Sequence, residues 1–296
     1  MISLKEAAER IRAGELVAFP TETVYGLGAN ALDAAAVARI YELKGRPATS
    51  PLIVHVASVD MARTLVTEWP PEAERLANLY WPGPLTLVLP KRPSIPDIVT
   101  ARLSTVGVRV PNHPLALALI READVPLAAP SANRFMGLSP TTAEHVREAF
   151  GDAVAVLDGG PCQVGIESTV VSIASGKITL LRPGMLSIED VEWAGDPAPD
   201  AAHPAPGMHP RHYSPRTPLI LSSDPDPHGA YVWTNLPANA AHSVRMPITP
   251  EAYAAQLYSV LHKLDREGWP VISVEPPPDQ VEWAAVRDRL QRAASK

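Results

Sequence analysis

Three cations are the residues of this chain best placed to do chemistry on a phosphate. Lys44 and Arg46 stand two residues apart in Lys44-Gly45-Arg46-Pro47, and Arg182 lies between a predicted strand and a Pro-Gly turn that would hold it rigidly. Arginine binds phosphate through paired hydrogen bonds and lysine supplies a compact charge, so these residues suit a phosphorylated ligand. The alternatives are a solvated helix C-terminus, where cations are favoured by the helix dipole, and a surface arginine.

Short polar side chains follow one of the predicted strands. Ser131 and Asn133 come directly after an apolar strand predicted over residues 126–129. Ligands of open α/β sheets bind beyond the carboxyl ends of strands, so a hydroxyl and an amide at this place can hold a carboxylate or a sugar hydroxyl. A plain Ser or Asx turn is the alternative. Ser139 and Thr141 precede a helix, where a hydroxyl caps the first turn by default.

A run rich in hydroxyl groups and glycine, Pro20-Thr21-Glu22-Thr23-Val24-Tyr25-Gly26-Leu27-Gly28, follows the apolar residues 16–19. We expect a turn here in place of a simple hairpin, with Gly26 and Gly28 letting the backbone approach a ligand closely. A plain strand-to-helix connection is the alternative. The glycines do not continue as a dinucleotide fingerprint, and the sequence contains neither a P-loop nor a nucleophile elbow.

Histidine and cysteine give no sign of a metal centre. His55 ends an apolar strand, where a lone histidine is more often structural than catalytic. His203, His209 and His212 lie in a proline-rich stretch without paired acids, so we interpret them as linker residues. Cys162 is the single cysteine, which excludes a disulfide framework and favours a reducing, cytosolic setting.

Composition limits the classes of function. The 296 residues are 46% hydrophobic and 20% charged, with a net charge of −6. Residues 1–190 and residues 191–296 each carry more acidic than basic side chains, so neither offers the positive field with which a domain binds a polyanion. The N-terminus lacks the apolar core of a signal peptide, and no segment has the apolar length of a membrane span. We therefore expect neither stable nucleic-acid binding nor membrane association.

Hydrophobic periodicity predicts an α/β fold that would position these groups. Strands and helices alternate, and hairpin-like pairing near residues 169–181 argues for a mixed sheet. The predicted strands are 16–19, 52–56, 85–89, 106–110, 126–129, 154–157, 169–173 and 178–181. The predicted helices begin near Leu4 and cover 34–43, 72–79, 115–123 and 142–150.

A change in composition marks a linker. Residues 195–218 contain seven prolines among 24 residues, as is typical of a semi-rigid connector. We therefore divide the chain into a first domain over 1–194, this linker, and a small α/β domain over 219–296. In the second domain we predict strands at 219–221, 231–233 and 271–274, with a long helix whose apolar face is Tyr253, Leu257, Leu261 and Leu264.

Taken together, the motifs resemble the L-threonylcarbamoyladenylate synthase family, the YrdC-like proteins, in its two-domain form. The resemblance covers about residues 8–185 and continues in the linker from Pro206-Gly207-Met208 to Arg211-His212-Tyr213-Ser214-Pro215. It implies a YrdC-like mixed, twisted sheet with flanking helices and a small, shortened Rossmann-like C-terminal domain. The motifs that carry it are Pro20 to Leu27, Lys44-Gly45-Arg46-Pro47 with Pro51-Leu52, Trp81-Pro82-Gly83-Pro84-Leu85-Thr86, Val108-Arg109-Val110-Pro111, Ala129-Pro130-Ser131-Ala132-Asn133, Glu167-Ser168-Thr169-Val170 and Leu181-Arg182-Pro183-Gly184.

The resemblance implies a nucleotidyltransferase. It would condense L-threonine, bicarbonate or CO₂, and ATP into threonylcarbamoyl-AMP and pyrophosphate, with Mg²⁺ bridging the ATP phosphates. A separate threonylcarbamoyl transferase complex, the expected partner, would then modify the tRNA adenosine next to the anticodon. The acidic balance of the chain fits a cytoplasmic enzyme that makes this intermediate without holding tRNA itself.

The same resemblance implies a set of site residues. Lys44, Arg46 and Arg182 would be the catalytic cations, acting by positioning and electrostatics. Threonine would be bound by Thr23, His55, Arg109, Ser131 and Ser168. ATP would be bound by Arg46, Ser50, Thr105, Asn133, Ser139, Thr141, Arg182 and Tyr213. No metal held by protein ligands is expected. Tyr213 would fold back with the linker over the nucleotide, and packing on the second domain is the alternative.

Two other functions share parts of this pattern. A carbamoyl-transfer domain of the hydrogenase-maturation type has the same fold, but it normally accompanies zinc-finger modules, whose cysteines are missing here. A non-catalytic RNA-binding module would use the concave surface of the fold, and the charge balance argues against it.

Overall fold

The large sheet forms the centre of the first domain. The computed structural model describes residues 1–174, 177–189, 191–195, 205–207 and 209–295, so the linker residues His203 and Met208 lie outside it. The strands of the large sheet are β1 (Val17–Phe19), β2 (Gly26–Asn30), β3 (Ile53–His55), β4 (Leu85–Pro90), β5 (Thr105–Arg109), β6 (Leu127–Ala128), β7 (Ala155–Val156), β8 (Thr169–Ala174), β9 (Lys177–Arg182) and β10 (Glu192–Trp193). Their order is β10-β9-β8-β4-β5-β3-β6-β2-β1-β7, and the sheet contains both parallel pairs such as β4–β8 and antiparallel pairs such as β4–β5. The mixed sheet predicted from the sequence is confirmed.

Helices flank this sheet where sequence signals place them. They are α1 (Leu4–Arg12), α2 (Ala34–Lys44), α3 (Val59–Arg63), α4 (Pro71–Tyr80), α5 (Pro114–Ala123) and α6 (Ala143–Phe150), with a 3-10 turn at Gly151–Ala153. The side chains of Ser3, Asp33 and Thr142 cap the first turns of α1, α2 and α6. Helix α2 ends at Gly45, whose φ of 64° is left-handed, and this turn directs the chain towards Arg46.

The segment after β1 differs from the expectation. Strands β1 and β2 pair directly as an antiparallel hairpin, with Phe19 opposite Gly26, so the prediction of a turn without a hairpin was wrong. The two glycines make room for an aromatic ring: a Cβ at Gly28 would lie 2.8 Å from the Phe19 ring, and one at Gly26 would lie 3.2 Å from it. The polar loop over residues 20–25 joins the two strands.

A smaller parallel sheet builds the second domain, here called the tail domain. Its elements are β11 (Leu219–Leu221), β12 (Ala230–Trp233), β13 (His242–Arg245), α7 (Pro250–Glu267), β14 (Ile272–Val274), a 3-10 turn (Val281–Trp283) and α8 (Ala284–Ala294). The strands are ordered β11-β14-β12-β13 and pair in parallel. The predicted small α/β domain is thus confirmed as a fold class. Within the part of the chain that the structure describes, no helix has both the length and the apolarity needed to cross a membrane.

The tail domain docks closely on the first domain through α7. Gly165 has a φ of 80°, and a Cβ there would lie 2.4 Å from the carbonyl oxygen of Ala254 on α7. The His145 ring of α6 stacks on His262 of α7, with 3.9 Å between their centroids. Backbone and rings therefore meet across the boundary without intervening space.

Candidate active site

A chamber between the first domain and the linker brings most of the predicted site residues together. It is bounded by the loop over residues 20–25, by the ends of β3, β5 and β6, and by the residues before β8. Pro206, Gly207 and Tyr213 of the linker close it on one side. The predicted site residues that line it are Thr23, Arg46, His55, Arg109, Ser131, Ser168, Arg182 and Tyr213.

On one side of the chamber, Arg109 organises the polar loop after β1. Its Nη1 donates to the hydroxyl of Thr23 at 3.0 Å, and its Nε donates to the carbonyl of Gly83 at 3.2 Å. Its Nη2 forms a buried ion pair of 2.8 Å with Oε1 of Glu22. The hydroxyls of Thr21 and Thr23 are 2.8 Å apart, so a continuous polar network leads from Arg109 into the loop.

His55, at the end of β3, is a neutral imidazole. Burial and the neighbouring charge of Arg109 lower the pKa of His55 to about 3, so the ring is uncharged at neutral pH. Its ring meets Phe19 edge to face at 5.9 Å between centroids. Among the described residues its Nδ1 has no hydrogen-bond partner, although the atom is buried. A polar ligand in the chamber would satisfy this nitrogen.

Arg46 and Arg182 are buried cations without a carboxylate in ion-pair contact among the described residues. Burial lowers the pKa of Arg46 to about 10, which leaves it charged at neutral pH. Arg46 donates to the Pro51 carbonyl at 3.1 Å. Arg182 donates to the Ser168 carbonyl at 2.9 Å and to the Pro206 carbonyl at 2.9 Å. A buried charge with neutral partners is costly, so this pair favours an anionic ligand.

Lys44 lies beside the chamber and contacts protein atoms. Its ammonium donates to the Ser131 carbonyl at 2.6 Å and to the Asn133 carbonyl. Burial and the charge of Arg46 lower the pKa of Lys44 well below its usual value. The structure therefore shows Lys44 holding the loop after β6, and its catalytic role stays a prediction.

Three more of the predicted ATP residues, Ser50, Ser139 and Thr141, lie around the chamber and form hydrogen bonds with protein groups. Ser50 and Nε2 of His209 are 2.7 Å apart. Ser139 donates to Glu167, and the hydroxyls of Thr141 and Ser259 are 2.9 Å apart. The role of these residues in binding ATP stays a prediction.

Two further predicted ATP residues complete this surrounding shell. Asn133 donates through Nδ2 to the Arg134 and Gly137 carbonyls, both at 2.8 Å. Thr105, in β5, borders a small neighbouring cavity that Pro206 of the linker also borders. Their contact with ATP likewise stays a prediction.

The linker covers the chamber through Tyr213. We call residues 205–207 and 209–214 the linker flap. Tyr213 is buried at a left-handed φ of 59°, and Ser214 bridges to Gly137 in the first domain. The Tyr213 ring also lies 6.0 Å from Tyr258 of α7. The flap thus packs on both domains, and contact of Tyr213 with ATP stays a prediction.

Sequence reasoning missed three charged residues at this site. Glu22 pairs with Arg109, and Glu167 pairs with Arg289 of α8 at 2.7 Å. Both glutamates lie inside motifs that were recognised, but no role was assigned to them. Arg289 has a signal of its own, because it occupies the buried stripe of α8 together with Ala285 and Leu290. A charged residue on an apolar helical stripe predicts a buried partner.

Buried arginines without a carboxylate in ion-pair contact, a neutral imidazole and several hydroxyls thus line one chamber of a two-domain α/β protein, an arrangement that suits an anionic ligand. A family model described as "Telomere recombination", of the Sua5, YciO and YrdC proteins, matches residues 9–184. A model described as "Threonylcarbamoyl-AMP synthase, C-terminal domain" matches residues 185–295. The chain therefore belongs to the two-domain Sua5/YrdC family, as its motifs indicated.

Individual relatives agree with this family. The threonylcarbamoyl-AMP synthase of Pyrococcus abyssi is 42% identical, over 98% of this chain and 94% of its own length. That of Bacillus subtilis is 40% identical, over 98% of this chain and 92% of its own. The crystal structure of P. abyssi Sua5 complexed with L-threonine matches with a TM-score of 0.92 at 41% identity, covering 98% of this chain and 94% of that one. The predicted YrdC-like fold is confirmed.

Proposed function

We propose that the chamber condenses L-threonine, bicarbonate or CO₂, and ATP into threonylcarbamoyl-AMP and pyrophosphate. The activity is that of a threonylcarbamoyl-AMP synthase, a nucleotidyltransferase of tRNA threonylcarbamoyladenosine biosynthesis. One observation supports the location above all others: Arg46 and Arg182 are buried at the chamber with neutral partners. A bound triphosphate would supply the anionic partner that these two arginines do not have among the described residues.

Threonine is assigned to the side of the chamber where His55, Arg109 and Thr23 meet. Arg109 donates to the hydroxyl of Thr23 on this side, and its own charge is paired with Glu22. The neutral His55 can accept a hydrogen bond from the threonine hydroxyl, because its Nδ1 is buried without a partner among the described residues. Such a site rejects an analogue without the hydroxyl, since a buried polar group would then stay unpaired.

The chemistry needs fixed positive charge more than a nucleophilic side chain. The threonine amine bonds to the carbon of CO₂ with loss of a proton, or to that of bicarbonate with loss of water, and becomes a carbamate. A carbamate oxygen then attacks the α-phosphorus of ATP, and the bond from this phosphorus to the departing pyrophosphate breaks. Negative charge accumulates on the phosphate oxygens, where buried guanidinium groups stabilise it without reorganisation. Arg46 and Arg182 are assigned this role, with Lys44 supporting the loop beside them. The linker flap excludes water from the adenylate.

Magnesium belongs to this proposal as a companion of ATP. Among the described residues no group of three or more His, Cys, Asp and Glu could hold a metal ion. The carboxylates near the chamber, Glu22 and Glu167, are each paired with an arginine. The donor set therefore fits a Mg²⁺ ion that is held by the phosphates and water, and such an ion would neutralise phosphate charge.

The product is proposed to leave for a separate threonylcarbamoyl transferase complex in the cytoplasm. The acidic balance of the chain supports release of a small intermediate over retention of tRNA.

Pyrophosphate release by the full chain tests this function. We expect release to require ATP, threonine and bicarbonate together, and the product to have the mass of threonylcarbamoyl-AMP. Valine should support release at least about a hundredfold more weakly than threonine, because a site built to bind a hydroxyl discriminates strongly against its absence. Equal release with the two amino acids would contradict the assignment of the threonine side.

A further inference from the structure

Arg289 of the tail domain reaches into the wall of the chamber. It lies on α8, and its side chain is fully buried. Its Nε donates to Oε2 of Glu167 at 2.7 Å, and its Nη1 donates to the carbonyl of Pro183 at 3.0 Å and to Asp288 at 2.6 Å. One tail-domain side chain therefore contacts the residues on both sides of the β8–β9 hairpin, next to Ser168 and Arg182.

Glu167 transmits this contact to the nucleotide side. Its Oε1 accepts a hydrogen bond from Ser139, and its Oε2 accepts one from Tyr258 at 3.2 Å. Burial alone would raise the pKa of Glu167, but the charges of Arg289 and Arg182 and the hydrogen bond from Ser139 lower it overall. The carboxylate is thus ionised, and its orientation is fixed by bonds from both domains.

Arg289 also holds the linker flap. Its guanidinium carbon lies 5.2 Å from the centroid of the Tyr213 ring, a cation–π distance. Tyr213 has a left-handed backbone, which is unfavourable for a bulky residue and persists only where surrounding contacts hold it. A desolvated cation against the ring is such a contact.

A buried ion pair of this kind is poor evidence for stability, because apolar residues of similar volume often stabilise a fold equally well. The contacts of Arg289 instead converge on two parts of the chamber wall, Glu167 and Tyr213. We propose that Arg289 is a positioning residue of the active site: through Glu167 and Tyr213 it sets the nucleotide side of the chamber, so that ATP binding requires the docked tail domain. This rests on the assignment of ATP to the chamber.

Steady-state kinetics of the full chain test the proposal. Arg289→Met should raise KM for ATP by about tenfold or more, because the carboxylate of Glu167 and the ring of Tyr213 both lose the contact that holds them in position. KM for threonine should rise much less than KM for ATP, since Arg289 is next to only one predicted threonine residue, Ser168, and His55 and Arg109 are untouched. Arg289→Lys, which keeps the charge without the planar fork, should fall between wild type and Arg289→Met.

The control is Arg287→Met on the same helix. Arg287 bonds to the carbonyls of Pro278 and Gln280 within the tail domain, so this variant should keep the wild-type KM for ATP. A folded Arg289→Met variant with wild-type KM for ATP would overturn the proposal. An equal rise of both KM values would overturn it as well, since a general structural role predicts that result.

A charge-neutral pair covers the case in which Arg289→Met leaves Glu167 unpaired and does not fold. Glu167→Gln with Arg289→Met keeps an acceptor for Ser139, and it too should show a raised KM for ATP; a wild-type value there would overturn the proposal. Calorimetric titration of each variant with ATP separates this idea from the proposed function. If the wild type fails to release pyrophosphate, the function is wrong, and the ATP affinities still decide the role of Arg289.

Discussion

The ammonium of Lys44 and the backbone carbonyl of Ser131 are joined by a hydrogen bond of 2.6 Å, across 87 residues of sequence. A second bond from the same ammonium reaches the carbonyl of Asn133. The end of α2 and the loop after β6 are thereby fixed to each other, and this loop carries residues assigned to both substrates. Two donors of the Lys44 ammonium are therefore bound to backbone carbonyls of the protein.

Lys44→Met should destabilise the fold and loosen both substrate sites. Two buried carbonyls would lose their donor, which costs about 1–3 kcal/mol of unfolding free energy. KM for threonine and for ATP should both rise. Urea unfolding and pyrophosphate-release kinetics measure these effects, and Lys177→Met, at an exposed ion pair with Glu192, is the control. A loss of kcat with unchanged stability would instead show that Lys44 acts directly on the phosphates.

Arg46→Ala should lower kcat/KM by about a hundredfold or more, because loss of one fixed donor to transition-state charge costs about 3 kcal/mol. Among the described residues the one hydrogen bond of its side chain is to the carbonyl of Pro51, a minor part of the fold, so circular dichroism should stay native. Arg39→Ala on the exposed face of α2 is the matched control. Full activity in Arg46→Ala would show that Arg46 does not stabilise charge in the reaction.

His55 should make the fold sensitive to acid. Its pKa is about 3 in the folded chain, against about 6.5 in an unfolded chain. Between these values the unfolded state binds the proton and the folded state does not, so stability falls as the pH falls from about 6.5 towards 3, by about 1.4 kcal/mol per pH unit from this group. Urea unfolding at several pH values should therefore give a shallower acid slope for His55→Gln than for wild type. Identical slopes would mean that the folded imidazole titrates normally.

Gly165→Ala should disturb the docking of the tail domain. The new Cβ would lie 2.4 Å from the Ala254 carbonyl, so either the loop or α7 must move. Gly160→Ala is the control, because Gly160 has the same left-handed backbone, with a φ of 79°, but open space around it. Limited proteolysis should cleave the linker faster in Gly165→Ala than in Gly160→Ala. Equal rates would show that the interface accommodates the methyl group.

Gly207→Ala should displace the Tyr213 ring from the wall of the chamber. A Cβ at Gly207 would lie 2.1 Å from the hydroxyl of Tyr213, so the ring must leave its position. We expect weaker ATP binding by calorimetry and faster hydrolytic loss of the adenylate. Gly195→Ala is the control, since Gly195 is also left-handed, with a φ of 76°, but no atom of the described residues lies close to the added methyl. Wild-type ATP affinity in Gly207→Ala would reduce the flap to a tether.

Local sequence patterns predicted the parts of this fold that local physics determines. Apolar runs predicted the described strands of the first domain other than β2 and β10 to within a few residues, and the motif loops after them meet at one chamber. Strand β2 was missed because Gly26 and Gly28 weaken the sequence signal of a strand. Glycine is needed at both positions because the Phe19 ring of the paired strand occupies the space of a side chain. Strand β13 was missed because it is a short, largely exposed edge strand.

Long-range charge pairs could not be predicted from one sequence. Glu167 and Arg289 are 122 residues apart, and nothing in either local pattern names the other as its partner. The same holds for Glu22 and Arg109, although each lies within a recognised motif. A charged residue on the apolar face of a helix indicates that it has a buried partner. Only the tertiary structure shows which residue that partner is.

The strand order of the large sheet has a consequence for how the chain reaches its native state. Among its described strands, five of the nine neighbouring pairs join strands that are not consecutive, among them β4–β8 and β1–β7. The entropy of closing these long loops is lost before the contacts they enable are gained, so folding should be slow and partly built sheets with open edges should accumulate. Ligands of the chamber bind only the finished sheet. Bound ligands therefore do not speed folding, but they slow the unfolding of the native state. A good supply of substrate would lengthen the lifetime of the folded enzyme.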